Sequence, residues 1–174
     1  EDLNALLEEN PNDMRARVRR GWAYLSMKDF RAALSDLAYA IERNAELPHA
    51  HLNLAAVHYE VGEFQKAFSE NEKIFHLSDQ EYLVEAWFQK GLILLALKRN
   101  EEARGAYARG RLLAEKNSNI GGVEHGIEDL KMAQAAGKAN LKTSDDILAL
   151  LKKTEDMLRA TVGDHSNRCH HLII

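Results

Sequence analysis

Four residues near the end of the chain are of the types that chemistry most often uses: His165, Cys169, His170 and His171. Imidazole and thiolate four residues apart can share a helix face around zinc or copper. Their spacing matches no established metal site and no second ligand pair stands elsewhere, so a His-rich tail is the expectation. As a nucleophile, Cys169 would need a positioned base and an oxyanion site, and a frayed tail fixes neither. His51 and His58 stand at helical core positions and read as packed histidines. Arg15, Arg17, Arg19 and Arg20 carry charge suited to a nucleic-acid backbone. At this spacing, however, they point around a helix, and Glu8, Glu9 and Asp36 flank them, so a solvated, salt-bridged face is expected and nucleic acid is not assigned as a partner. The sequence has no phosphate loop, no metal-binding helix motif and no isolated acid pair in a plausible pocket. No catalytic, cofactor-binding or metal-binding residue is therefore expected, and the chain is expected not to be an enzyme.

Any such residues must be positioned by helices, because the periodicity and the breakers leave little room for strands. Helix pairs are expected at about Met14 to Met27 with Phe30 to Arg43, Pro48 to Val61 with Phe64 to His76, and Glu81 to Leu97 with Glu101 to Lys116. Pro48 suits a first helical turn, where its missing N–H would have no partner in any case. The pairs are spaced regularly. Gly21 to Ala55 and Ala33 to Ala67 are both 34 residues, and Ala55 to Gly91 and Ala67 to Ala103 are both 36, which places two extra residues around Ser78 to Val84. Trp87, Gly91, Leu94, Ala103 and Tyr107 give the fullest version of the unit. Gly21, Tyr24, Ala33 and Leu37 repeat it with Arg17 at the leading aromatic, and His51, Ala55, His58, Ala67 and Asn71 repeat it more loosely. Small residues at these crossings let two helices approach without opening a void.

This pattern over residues 1 to 116 resembles the tetratricopeptide repeat family. The resemblance implies an all-α fold: a right-handed superhelical solenoid of antiparallel helix pairs with a C-terminal capping helix and an additional amphipathic helix. Pro11 is then the proline that ends a repeat, and Glu1 to Asn10 reads as the tail of an earlier one. The expected organisation is a repeat domain over 1–137, comprising a partial repeat 1–13, repeats at about 14–47, 48–83 and 84–117, and a capping helix 121–136. A linker 138–143, an amphipathic helix 144–162 and a flexible tail 163–174 follow. Asn117 to Gly122 is expected to break the helical pattern. Thr143 and Asp146 are in capping-box spacing at the start of the last helix, whose face is Ile147, Leu150, Leu151, Thr154, Met157 and Leu158.

The resemblance also implies a concave surface lined by the first helix of each pair. Its lining would be Arg15, Val18, Arg19, Trp22 and Leu25, then His49, Leu52, Asn53, Ala56 and Tyr59, then Glu85, Phe88, Gln89, Leu92 and Leu95. The spacing places each set on one helical face. An apolar floor with arginines at one end suits an amphipathic helix or an extended peptide with an acidic end, with Trp22, Tyr59 and Phe88 as anchors. In the family's carboxylate clamp for chaperone tails only Asn53 would match. Val18 and Trp22 replace a lysine and an asparagine, and Glu85 brings the wrong charge, so that ligand is not expected.

Composition agrees with the expectation of a folded soluble protein. The chain has 174 residues, 45% hydrophobic and 29% charged, with a formal net charge of -4, so no whole-molecule field draws it to nucleic acid or an anionic membrane. Its longest apolar run, Leu92 to Leu97, is far below the roughly 20 residues of a membrane span, so no membrane insertion is expected. The single Cys169 leans towards a reducing, cytoplasmic setting and leaves export open. A start at Glu1 reads as trimmed. Two functions follow as expectations: an adaptor or scaffold that binds a peptide or helix of a partner protein, and a self-assembling or autoinhibited module whose C-terminal helix fills its own or a neighbouring groove, making a homo-oligomer.

Overall fold

The computed structural model describes residues 2–77 and 82–169, with the side chains of the last helix described as far as residue 161. Among these residues there are nine helices and no strand: α1 (Leu3–Glu9), α2 (Met14–Ser26), α3 (Phe30–Arg43), α4 (Pro48–Glu60), α5 (Phe64–Ile74), α6 (Leu83–Ala96), α7 (Asn100–Asn117), α8 (Ile120–Ala135) and α9 (Leu141–Cys169). The expected helix pairs are thus present within a few residues. Short polar side chains start several of them. Asp13 accepts from the Ala16 N–H at 2.9 Å, Asp29 from Ala32 at 3.1 Å, and Asn119 from Gly122 at 2.8 Å, each satisfying a first-turn donor.

The turn inside each pair has a left-handed residue seven positions after the small residue of the crossing: Lys28 (φ 61°), Gly62 (φ 83°) and Lys98 (φ 62°). The crossings are as tight as the sequence requires. A Cβ on Gly21 would lie 2.8 Å from Leu37, and one on Gly91 2.5 Å from the Tyr107 ring, distances that real carbon atoms do not tolerate.

The chain divides into two compact units, residues 1–86 and 87–174. In the first, α2, α3 and α4 enclose Val18, Leu37, Leu54 and Val57 among fully buried alanines, with Tyr24, Phe30 and Leu34 at the margin. In the second, α9 packs along α7 and α8. Its inward face is Ile147, Leu148, Leu151, Thr154 and Leu158, all buried, whereas Leu150 and Met157, expected on that face, are exposed.

Two boundaries differ from the sequence reading. The break expected over Asn117 to Gly122 is confined to Ser118, left-handed at φ 53°, and the cap Asn119; both glycines enter the first turn of α8. The last helix starts at Leu141, ahead of Thr143, because Asn140 is the cap, its Oδ1 accepting from the Thr143 N–H at 3.1 Å. Thr143 is buried one turn inside, and the helix continues through the stretch expected as tail to Cys169. Consequently α8 and α9 form a fourth helix pair. Gly137 (φ 67°) sits seven residues after Leu130, and Ser144, Leu148 and Leu151 fall where α3 places Ala33, Leu37 and Ala40.

Candidate interaction surfaces

In the first unit the α2 face alternates between core and solvent. Val18 is buried with the core, while Arg15, Arg19 and Trp22 are exposed, Trp22 at 55%. Leu25 is half-buried against the same core. On α4, His49 stacks on Tyr82 with ring centroids 4.9 Å apart and planes 15° apart. Leu52 and Ala56 are half-buried, and Asn53 and Tyr59 are buried. Tyr59 leans on Phe64 at 5.5 Å. The Nδ2 of Asn53 has no hydrogen-bond partner among the described residues, which leaves a buried donor whose desolvation is uncompensated. A cleft of about 820 Å3 opens beside the first turns of α2 and α4, lined by Arg15, Val18, Arg19, Asn44, residues 46–50 and Tyr82. Two carboxylates reach it, Asp13 and Glu46, of which Asp13 already caps α2.

Behind that face the four-arginine cluster separates into two roles. Arg20 grips the buried Asp36 with Nε to Oδ2 at 2.6 Å and Nη2 to Oδ1 at 2.8 Å, and Arg17 adds Nη1 to Oδ1 at 3.3 Å. Arg17 also lies 3.9 Å over the Tyr39 ring, whose other neighbour is Arg43 at 3.5 Å. This is a structural ion pair, as the charge pattern suggested, and only Arg15 and Arg19 stay on the open face. His51 is buried as expected, with Nδ1 3.0 Å from Glu70 Oε2 and Nε2 3.0 Å from the Ala45 carbonyl oxygen. Both are acceptors, so both bonds form only when the ring has two N–H groups. The His51 hydrogen bond, then Lys73 at 2.7 Å, holds the Glu70 carboxyl at about 2, against the opposing effect of burial. His58 is half-buried and pairs with Glu63 at 2.8 Å.

The residues expected further along the floor are less open. Glu85 and Gln89 are half-buried, and Phe88, Leu92 and Leu95 are buried. Phe88, expected as a docking anchor, belongs to the core of the second unit. A Cβ on Gly110 would meet its ring at 2.6 Å and one on Gly126 at 2.8 Å, and Tyr107 stacks on it at 5.8 Å. The fourth helix pair explains this: α8 brings Gly126 onto the ring, and the sequence reading had no reason to place a glycine there. Trp87, by contrast, is half-buried with Lys90 Nζ and Arg109 Cζ each 5.0 Å from its ring. That group was missed because the leading aromatic of a repeat reads as core alone.

The α9 apolar stripe is covered by its own unit, and polar contacts fix it there: Gln134 Nε2 donates to Ser144 Oγ at 2.7 Å, Arg104 pairs with Asp146 at 2.7 Å, and Arg159 pairs with Glu124. Among the described residues no group of three metal-ligating side chains comes together, and no helix is long and apolar enough to cross a membrane. The side chains of His165 and Cys169, and all of His170 and His171, lie outside the described residues, as do residues 78–81 of the insertion expected around Ser78 to Val84.

The sequence pattern of the tetratricopeptide repeat matches residues 18–74 and again residues 84–116, together about half of the chain. The chain belongs to the tetratricopeptide repeat family. The solved structures it resembles have the same all-α tetratricopeptide fold. The structure of MamA superposes with a TM-score of 0.62 at 15% identity, covering 89% of this chain and 85% of that one. YrrB, described as a tetratricopeptide repeat protein with an unusual peptide-binding site, gives 0.57 at 14%, covering 94% and 98%. A tetratricopeptide repeat protein from Parabacteroides merdae gives 0.54 at 19%, covering 87% and 62%. No curated protein matches the sequence. These identities bear on the tetratricopeptide fold alone.

Proposed function

We propose that the chain is a non-enzymatic adaptor that docks a peptide or amphipathic helix of a partner protein on the α2 and α4 face of its first unit. The observation that carries this reading is Trp22, more than half exposed on a helix whose neighbouring face builds the core. An exposed tryptophan one and two turns along the helix from two arginines that line a cleft has the composition of an interface anchor. Arg15 and Arg19 would orient an acidic end of the ligand, and Leu25 and Leu52 would receive its apolar side chains. The Asn53 donor would regain a partner in a ligand carbonyl. Peptide binding by YrrB, as its description states it, supports the class of ligand.

Selection of a displayed random-peptide library against the full chain, with the selected peptides titrated into variants, tests the reading. Trp22→Ala is expected to weaken binding by about 2 kcal/mol and to leave the melting temperature unchanged. Phe88→Ala is expected to lose about 3–5 kcal/mol of stability instead, because it empties a packed site. Selected peptides that bind Trp22→Ala and the Arg15→Glu/Arg19→Glu variant as tightly as the parent would overturn it.

A further inference from the structure

The first two repeats build one arrangement from different residues. The spacing of 34 pairs Pro11 with Ala45, Arg17 with His51 and Asp36 with Glu70. In the first repeat the Arg17 guanidinium bridges two acceptors: Nε and Nη2 donate to the Pro11 carbonyl oxygen, each at 3.1 Å, and Nη1 donates to Asp36 Oδ1 at 3.3 Å. In the second the His51 ring bridges the equivalent two, with Nε2 3.0 Å from the Ala45 carbonyl oxygen and Nδ1 3.0 Å from Glu70 Oε2. The connection ahead of the helix is repeated as well: Asn10 Oδ1 accepts from the Asn12 N–H at 3.3 Å, and Asn44 Oδ1 from the Glu46 N–H at 3.0 Å. The two bridging side chains differ in one respect. Arginine donates to both acceptors at any pH a folded protein meets, whereas histidine does so only as the imidazolium, a form that ordinary histidines lose near neutral pH.

Which proton leaves follows from the two acceptors. Glu70, its carboxyl held at about 2, is an anion throughout the range in which histidine titrates, and a hydrogen bond to an anion is stronger than one to a neutral carbonyl. The neutral ring therefore keeps its proton on Nδ1 and turns the Nε2 lone pair towards the Ala45 oxygen. Lone pairs 3.0 Å apart repel, and Ala45, being exposed, takes water in place of the ring. The charges on the elements packed against α4 have their own engagements. On α5, Lys73 pairs with Glu70 at 2.7 Å. On α3, Asp36 is held by Arg17 and Arg20 of α2, and Arg43 pairs with Glu42 at 3.6 Å. Glu72, two residues past Glu70 and so on the opposite side of α5, and Glu85 of α6 are half-buried. Arg15 and Arg19 of α2 and Glu46 of the connection line the cleft, and His49 of α4 stacks on Tyr82.

We propose that His51 is a proton-operated latch: protonated, it ties the connection between α3 and α4 to α5 and fixes one wall of the cleft, and on losing its proton it frees that wall. The connection is the part of the cleft a ligand would meet, since Asn44, Glu46 and Leu47 line it. Asn10, Asn12 and Asp13 of the first repeat's connection line it too, and Arg17 keeps that side tied at every pH. The cleft thus has one permanent wall and one that responds to acidity. That a ligand is held more weakly as pH rises rests on the docking reading above; the latch itself does not.

The test follows the full chain, labelled with 15N and free of any ligand, from about pH 5.5 to about 8.5, so that its failure and that of the docking reading are told apart. At the acid end the His51 ring is expected to show two N–H groups, and on raising the pH to lose the one on Nε2 and keep the one on Nδ1. The Glu46 amide signal, whose nitrogen is bonded to the Ala45 carbonyl carbon, is expected to shift with the same midpoint, and that of Asn12, its equivalent in the first repeat, to stay in place. The indole N–H signals of Trp22 and Trp87 report that both units remain folded. His51→Arg copies the first repeat and is expected to abolish the pH-dependent shift of Glu46. Should it fail to fold, His49→Gln replaces it: removing the other imidazole of that stretch is expected to leave the shift and its midpoint unchanged. A His51 ring with one N–H at the acid end, a Glu46 signal that does not move with the ring, a shift that persists in folded His51→Arg, or one that vanishes in His49→Gln would overturn the proposal.

Discussion

Arg17 and His51 occupy the leading place that Trp87 holds in the third repeat, and both use it to hold a carboxylate. In sequence they look like weak matches to a family that prefers an aromatic there. The structure gives the reason: each has its carboxylate 19 residues on, Arg17 with Asp36 and His51 with Glu70. The equal offset was present in the sequence, but it is visible only when the repeats are aligned on pairs of residues and not on single ones. Trp22 and Phe88 show the opposite limit. Helical spacing puts both on first-helix faces, and only the neighbouring helices decide that one is exposed and the other enclosed by Gly110 and Gly126. A pH prediction belongs at this scale. Glu70 titrates at about 2 when folded, against 4.5 ordinarily, so its contribution is complete above about pH 4.5 and is lost as pH falls towards 2. The loss is on the order of 3 kcal/mol for this largely buried group. Urea titrations between pH 7 and 2.5 are expected to show that Glu70→Gln is less stable than the parent at neutral pH and that the gap closes on acidification. A gap that stays constant would remove the His51–Glu70 bond from the account.

Each within-pair turn needs a left-handed residue, and only Gly62 and Gly137 are glycines. Lys28 and Lys98 adopt the same conformation with a Cβ, which costs about 1 kcal/mol. Lys98→Gly is therefore expected to raise stability by roughly 0.5–1 kcal/mol, read as a higher urea midpoint at unchanged slope. Lys98→Ala should give no such gain, since it keeps the Cβ. The fourth helix pair was not legible because its markers are altered. Leu130 replaces the small crossing residue, Ser144 replaces the alanine of the second helix, and the turn is two residues longer than in the other three. What remained was Gly137 seven residues after Leu130, a signal that the left-handed turn of the earlier pairs would have made readable.

At the scale of the chain, the sequence conveyed the all-α repeat architecture, because small residues at a fixed period leave few other folds open. It did not convey where the second unit ends. A C-terminal helix with an apolar stripe reads as a ligand in search of a groove, whereas here Ile147, Leu148, Leu151 and Leu158 are buried within their own unit, against α7 and α8. Truncation after Asn140 is accordingly expected to destabilise the second unit by more than about 5 kcal/mol, seen as early loss of the Trp87 signal on heating. A synthetic peptide of residues 141–162 should restore it by rejoining α7 and α8. A truncated protein that melts like the full chain would show α9 to be dispensable. The paired charges behind α2 and α4 have a consequence on another timescale. Asp36 and Glu70 cannot be lost singly without stranding an arginine or a histidine in a low-dielectric wall, so mutation at either end passes through an unstable intermediate. Among descendants of this sequence, residues 17 and 36 should change together, as should 51 and 70, while Trp87 and Ala106 drift independently.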